Sequence, residues 1–338
     1  MSGAVRDFGA VDGTPVQEIA LRSAAGLEAS IITWGGVIRD LAVPVRGTRQ
    51  STVLGLNSLE DYRAHSPSFG AVPGRYANRI ARGQFMIDGK SHQVPCNEKG
   101  RNALHGGTKG FNKLPWRLAG STADSVTLAL TSADGDMGFP GTLDVTCLYR
   151  LDGLTLRMEI EATTDAPTVV NLTNHAYFNL DGSADIRDHE LTVAAAFRTE
   201  VDEDLIPTGA IVPVAGTPFD FRAPRTVRDP SDQHYDMNYV LARQPDPATG
   251  LAYAATLRSR NNGLALEVAT NQQGVQVYDG AKVHVPVEGL GGAHYGAFAG
   301  LCLETQNFPD APNHRHFPSS VLRPGETYRQ VTEYRFSL

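Results

Sequence analysis

Four short blocks hold the residues that could do chemistry. The first, Val169–Leu180, reads Val-Val-Asn-Leu-Thr-Asn-His-Ala-Tyr-Phe-Asn-Leu. It begins like a strand at Thr168, Val169 and Val170, after Pro167, and then breaks its own pattern. Asn171, Asn174, His175 and Asn179 interrupt Leu172, Tyr177, Phe178 and Leu180. Amide and imidazole groups inside an apolar run are costly unless each finds a hydrogen-bond partner. His175 is therefore either a core histidine held by its asparagine neighbours or a proton carrier lining a polar pocket, since imidazole titrates near neutrality. In the second block, Leu301–Asn313, Glu304 shares a strand face with Cys302 in an otherwise apolar strand. A carboxylate there is paired, functional, or reaching solvent from the strand end. The third block, Gly74–Ile80, sets Arg75, Asn78 and Arg79 beside a glycine, either as donors aimed at oxygens or as an ordinary surface turn. In the fourth, Asn102–Gly107, His105 precedes a double glycine, where backbone can approach a ligand closely or simply turn.

Other signatures are missing. There is no P-loop, GxGxxG, HExxH or GxSxG. Gly289-Leu290-Gly291-Gly292 has the wrong spacing for a nucleotide. His314-Arg315-His316 alternates two imidazoles, but no third ligand is evident nearby, so it reads as a surface or binding-loop segment. No metal and no cofactor are expected.

The elements that must position these blocks are strands. Helical spacing of apolar residues is nearly absent, whereas short alternating segments recur. Leu154–Ala162 puts Leu154, Leu156, Met158 and Ile160 on one face, and Ser125–Leu130 does the same with Val126, Leu128 and Leu130. Further candidates are Val16–Leu21, Leu27–Thr33, Val37–Val43, Gln84–Ile87, Leu143–Leu148, Tyr253–Leu257, Leu264–Val268, Val275–Val277, Leu301–Glu304 and Tyr328–Phe336. Asp88-Gly89 and Asp152-Gly153 supply hairpin turns, and 34 Gly and 20 Pro are spread evenly. One short helix is expected at Leu59–Ala64, capped by Ser58. Asp181–Asp188, Arg222–Asp236 and Arg243–Gly250 read as long loops. The fold class is all-β, a large antiparallel sandwich of two facing sheets, with the 338 residues forming a single domain.

Composition narrows the partners. A net charge of −7 and pI near 5.8 leave no basic face for nucleic acid. No apolar run is long enough to span a membrane. Cys96, Cys147 and Cys302 are odd in number, far apart and without a CxxC, as expected of reduced thiols in the cytoplasm. The opening Met-Ser-Gly-Ala-Val-Arg-Asp-Phe lacks a basic stretch followed by an apolar core, so a cytoplasmic location is expected.

The chain resembles the aldose 1-epimerase (galactose mutarotase) family through seven segments in that family's order. These are GRYANRIARGQF from Gly74, NALHGG from Asn102, GFNKLPW from Gly110, NLTNHAYFNL from Asn171, YDMNYVL from Tyr235, GVQVY from Gly274 and LETQNFPDAPN from Leu303. The resemblance implies a β-supersandwich that binds a free sugar in an open cleft. It implies Glu304 as catalytic base and His175 as acid, with His105 a second histidine of the site. It assigns Asn78, Arg79, Asp236 and Gln276 to sugar binding. Two departures bear on substrate preference: Met237 stands where histidine is usual, and Leu114-Pro115 replaces a more usual charged pair.

Residue chemistry agrees with the implied reaction. Interconverting α and β anomers opens a hemiacetal, so one group takes the C1 hydroxyl proton while another protonates the ring oxygen. Acid and base exchange roles on reclosure, and each such group typically contributes about 10²–10⁴-fold. A non-catalytic sugar-binding module has no need of that pair. A sugar-phosphate epimerase should bring more cations than Arg75 and Arg79 into these blocks, and a glycosidase needs two flanking carboxyls, for which Asp236 and Glu304 are the candidate pair. A monosaccharide partner is expected, glucose, galactose or a pentose, with the chain a monomer or homodimer. Hydroxyl discrimination lies in loop geometry, so the sequence does not select among these aldoses.

Overall fold

A computed structural model describes residues 4–338; Met1, Ser2 and Gly3, part of the segment read above for a leader, lie outside it. Three sheets dominate, not two. A five-stranded sheet is formed in chain order by Ala4–Val11, Thr14–Arg22, Glu28–Ile32, Val37–Val45 and Thr48–Ser51. A nine-stranded sheet runs from Arg117–Ser121 through Ser125–Ser132, Leu143–Asp152, Thr155–Thr164, Tyr328–Ser337, Ala265–Thr270, Ala252–Arg258 and Glu190–Val193 to Arg225–Thr226. A six-stranded sheet has the order Tyr177–Phe178, Leu301–Gln306, Gly274–Tyr278, Asp236–Val240, Phe197–Val201, Pro207–Pro213. Neighbouring strands in all three are antiparallel. The sequence marks three strands of the N-terminal sheet but not that they form a sheet of their own, and the edge strand Ala4–Val11, with five of its eight residues exposed, shows no clean alternation.

The alternation read from the sequence is the core. Leu143, Val145, Cys147, Tyr149 and Leu151 face inward along one strand. Opposite them stand Leu156, Met158, Ile160 and Ala162, with Cys147 paired to Ile160 and Tyr149 to Met158. They pack against Val275, Val277, Leu301 and Leu303 of the six-stranded sheet and Ile31 and Leu41 of the five-stranded one. Each Val, Leu, Ile or Met among them contributes about 1.5–3 kcal/mol by leaving water. The Asp88-Gly89 and Asp152-Gly153 hairpins form as expected. So does the helix, Leu59–His65, whose first turn is capped by Ser58 accepting from the Asp61 N–H at 3.1 Å. No helix among the described residues is long and apolar enough to cross a membrane.

All six residues of the strand Leu301–Gln306 are buried, on both faces. Leu301 and Leu303 face the core, while Cys302 and Glu304 point the other way. A polar cavity covers that second face.

Candidate active site

Three adjacent strands carry the acidic side of the cavity. Glu304 lies opposite Gln276, and Gln276 lies opposite Asn238, so Asp236 sits diagonally across from Gln276. The Gln276 amide donates to Asp236 Oδ1 at 2.7 Å. Gln276 does not line the cleft itself: it is 3% exposed and stands behind Asp236.

His175 comes from the irregular stretch between Val169 and Tyr177, and the asparagines that broke the strand pattern are its struts. Asn174 donates to the Gly70 carbonyl at 2.7 Å and accepts from the Ala176 N–H at 2.9 Å. Asn171 donates to Ala77 at 3.1 Å and accepts from the Asn307 N–H at 2.9 Å. His175's own backbone is pinned on both sides, to Ala71 at 2.8 Å and Gly70 at 3.0 Å. Its ring stacks on Tyr177 at 5.0 Å. Nε2 then stands 3.7 Å from Glu304 Oε2, and Nδ1 3.4 Å from Cys302 Sγ. Glu304 Oε2 is buried and has no hydrogen-bond partner.

The opposite wall is the paired segment of Gly74–Ile80 and Asn102–Gly107. His105 Nδ1 accepts from the Asn78 N–H at 3.1 Å, so its proton is on Nε2. Both residues hold left-handed backbone, φ 52° and 62°. The glycine after His105 is needed for close packing: a Cβ on Gly106 would overlap the Gly74 carbonyl oxygen. The His105 ring meets that of His175 edge-on at 5.2 Å. Arg79 forms a two-pronged pair with Glu98, at 2.8 and 2.7 Å, and its Nη2 is 3.9 Å from Asp236 Oδ2.

The cleft so built has a volume of about 350 Å³, within the range of small-molecule sites. Asn78, Arg79, His105, His175, Asp236 and Glu304 all line it. Arg75 does not. The residue is 1% exposed, and its guanidinium donates to the carbonyls of Pro140, Gly141, Ser132 and Ala133 and to two hydroxyls, a structural clamp. The cleft's other cations are Lys113 and Lys282. Tyr177 lines the cleft wall, while Phe178 belongs to the core. Met237 is turned into the core beside Arg198, and Pro115 bridges to Trp34, so neither departure from the family pattern reaches the cleft. His314 and His316 anchor the Pro207–Pro213 strand through the carbonyls of Pro207 and Gly209.

Glu98, Tyr278 and Lys282 line the cleft and went unremarked in the sequence. Glu98 sits in a polar turn with no local signal; only its two-pronged contact with Arg79 marks it. All three cysteines are free thiols.

Electrostatics follow from burial. Glu304 is raised well above the usual carboxyl range, first by burial and then by the charge of Asp236, with Arg79 opposing. Burial pushes His175 down to about 4. His105 is held well below its usual value by burial, reinforced by His175 and Arg79. Although Glu304 and His175 lie within ion-pair distance, both shifts favour the neutral arrangement, a carboxylic acid beside an uncharged imidazole. The charge-separated form has the same proton count and differs only in where the one proton sits.

Comparison with known proteins fits this geometry. The protein-family model described as aldose 1-epimerase matches residues 17–335. The chain is 44% identical to galactose mutarotase of Mus musculus over 333 aligned residues, 96% of this chain and 95% of that one. It is 38% identical to aldose 1-epimerase of Escherichia coli, over 97% of each chain. Among solved structures, a GalM/aldose epimerase homologue from C. elegans superimposes with a TM-score of 0.89 at 31% identity, covering 95% of this chain and 98% of that one. Galactose 1-epimerase from Lactobacillus acidophilus gives 0.84 at 27% identity, covering 100% and 99%. The chain belongs to the aldose 1-epimerase family.

Proposed function

We propose that this protein interconverts the α and β anomers of a free aldose, with Glu304 and His175 as the proton-transferring pair. The observation that carries the reading is the 3.7 Å approach of His175 Nε2 to a buried, unpartnered Glu304 oxygen on the floor of a sugar-sized cleft. In the charge-separated form, Glu304 takes the C1 hydroxyl proton while the His175 imidazolium delivers its proton to the ring oxygen. The C1–O5 bond breaks, leaving an open aldehyde, protonated Glu304 and neutral His175. Rotation about C1–C2 exposes the other aldehyde face. Reclosure returns each proton along the reverse path.

The remaining groups suit hydroxyl recognition. Asp236, held by Gln276, accepts; Arg79, His105 Nε2–H and Asn78 donate. Asp236 also keeps Glu304 basic, while Glu98 takes up much of the Arg79 charge that would otherwise lower it. Galactose is the first substrate to test, with glucose, xylose and arabinose beside it. Polarimetry of freshly dissolved α-anomers should show catalysed approach to equilibrium rotation; a rate equal to the buffer's for all four sugars would refute the proposal. The same reading includes one domain working alone or as a homodimer, which limited proteolysis and sedimentation will test, and a place in the cytoplasm, which cell fractionation will test.

A further inference from the structure

We propose that His175, Cys302 and Glu304 form a binding site for a zinc-type divalent cation, mutually exclusive with the sugar. Cys302 and Glu304 are two apart on one strand and present their side chains to the same face. The His175 ring lies across both, and one ligand atom from each of the three residues falls within 4.8 Å of the others. The Nδ1–Sγ separation of 3.4 Å matches the edge of a zinc ligand tetrahedron, about 3.5 Å. The ion takes His175 through Nδ1; Glu304 stands nearer Nε2 of the same ring and completes the set by swinging a carboxylate oxygen, within 4.8 Å of the other two ligand atoms, in to about 3.5 Å. Its buried Oε2 gives up no hydrogen bond in doing so. The cleft supplies the route of entry and room for a fourth ligand, water.

The donor set selects the ion. Imidazole, thiolate and carboxylate together suit zinc or cobalt, whereas magnesium and calcium take oxygen ligands. Binding is ligand exchange without redox change: metal–nitrogen, metal–sulfur and metal–oxygen bonds replace bonds to water, and the thiol proton leaves to solvent. Glu304 and His175 are then unavailable to the sugar. That competition rests on the catalytic pair proposed above; the ligand set does not.

Co²⁺ titrated into the full chain under a non-thiol reductant provides the test. A thiolate-to-cobalt charge-transfer band should rise to saturation at one Co²⁺ per chain, disappear on adding Zn²⁺, and be suppressed by saturating galactose. Cys302→Ala should lose the band and Cys96→Ala keep it. Zn²⁺ should inhibit mutarotation competitively with galactose, at least about tenfold more weakly in Cys302→Ala relative to that variant's own rate. No band in the wild type, or a band that persists in Cys302→Ala, overturns the site. If Cys302→Ala does not fold, Cys302→Ser decides, since a band of unchanged intensity there also overturns the site; a band insensitive to galactose overturns the competition and leaves the ligand set. A saturated Co²⁺ protein that still interconverts anomers contradicts the catalytic pair and not the ligand set.

Discussion

Two histidine–carboxylate pairs flank the same stretch of chain and look alike by distance. His175 Nε2 is 3.7 Å from Glu304, and His189 Nε2 is 3.8 Å from Asp181. Their hydrogen bonding separates them. Asp181 Oδ2 accepts from Ser259 and Asn261, Oδ1 accepts from the Ser183 N–H, and His189 Nε2 accepts from the Leu180 N–H. Burial pushes the Asp181 carboxyl up, but the bonds from Ser259 and Ser183 outweigh it and hold it below its usual range. Glu304 has no such support and stays raised. A satisfied pair is a brace; an unsatisfied one at a cleft keeps its capacity for a substrate.

The contrast breaks most sharply on rate. Glu304→Gln and His175→Asn should each lower kcat by about 10²–10⁴-fold with the circular dichroism unchanged. Wild-type activity in either would remove that residue from the chemistry. Asp181→Ala should do the reverse, leaving kcat within about threefold while costing roughly 1–3 kcal/mol in urea unfolding, because buried donors lose their acceptor. A variant as stable as wild type would mean the brace carries no load.

A smaller effect sharpens the substrate side. Asp236→Ala should raise KM for galactose by about tenfold, near the 1.4 kcal/mol expected of a hydrogen bond to a charged group. An unchanged KM would contradict its place among the binding groups. The smallest effect is on stability. Glu304 has its folded pKa above its unfolded one, so its contribution is present at low pH and lost as pH rises through the folded value. Glu304→Gln removes that loss. It should melt above the wild type, by a margin that widens as pH rises above the usual carboxyl range, and a constant margin would mean that Glu304 ionisation is not coupled to folding.

Much of this was legible in the chain. Period-two alternation marks the strands of the large sheet, because one face of each meets the core. Strands Glu190–Val193, Phe197–Val201 and Pro207–Pro213 escaped, being short or lying at or near a sheet edge, where burial imposes little pattern. The segment Arg222–Asp236 read as a loop, yet Asp236 opens a strand whose other face is core. His175 and Glu304 showed themselves as polar residues in apolar runs. Arg75 and Arg79 are indistinguishable by sequence: four residues apart, one is consumed by carbonyls and the other lines the cleft. Gln276 was assigned to the sugar by resemblance, whereas its amide is committed to Asp236. Which acceptors surround a side chain is a tertiary property that spacing does not encode.

The pH dependence of kcat/KM for galactose, corrected for the uncatalysed rate, tests the shared proton most directly. The competent pair holds one proton between the pH at which His175 gains a second, about 4, and the raised pH at which Glu304 loses its own. A broad bell is predicted, with its acid limb near pH 4 and its alkaline limb well above the usual carboxyl range. A flat profile, or a narrow bell bounded by the ordinary carboxyl and imidazole values, would contradict it.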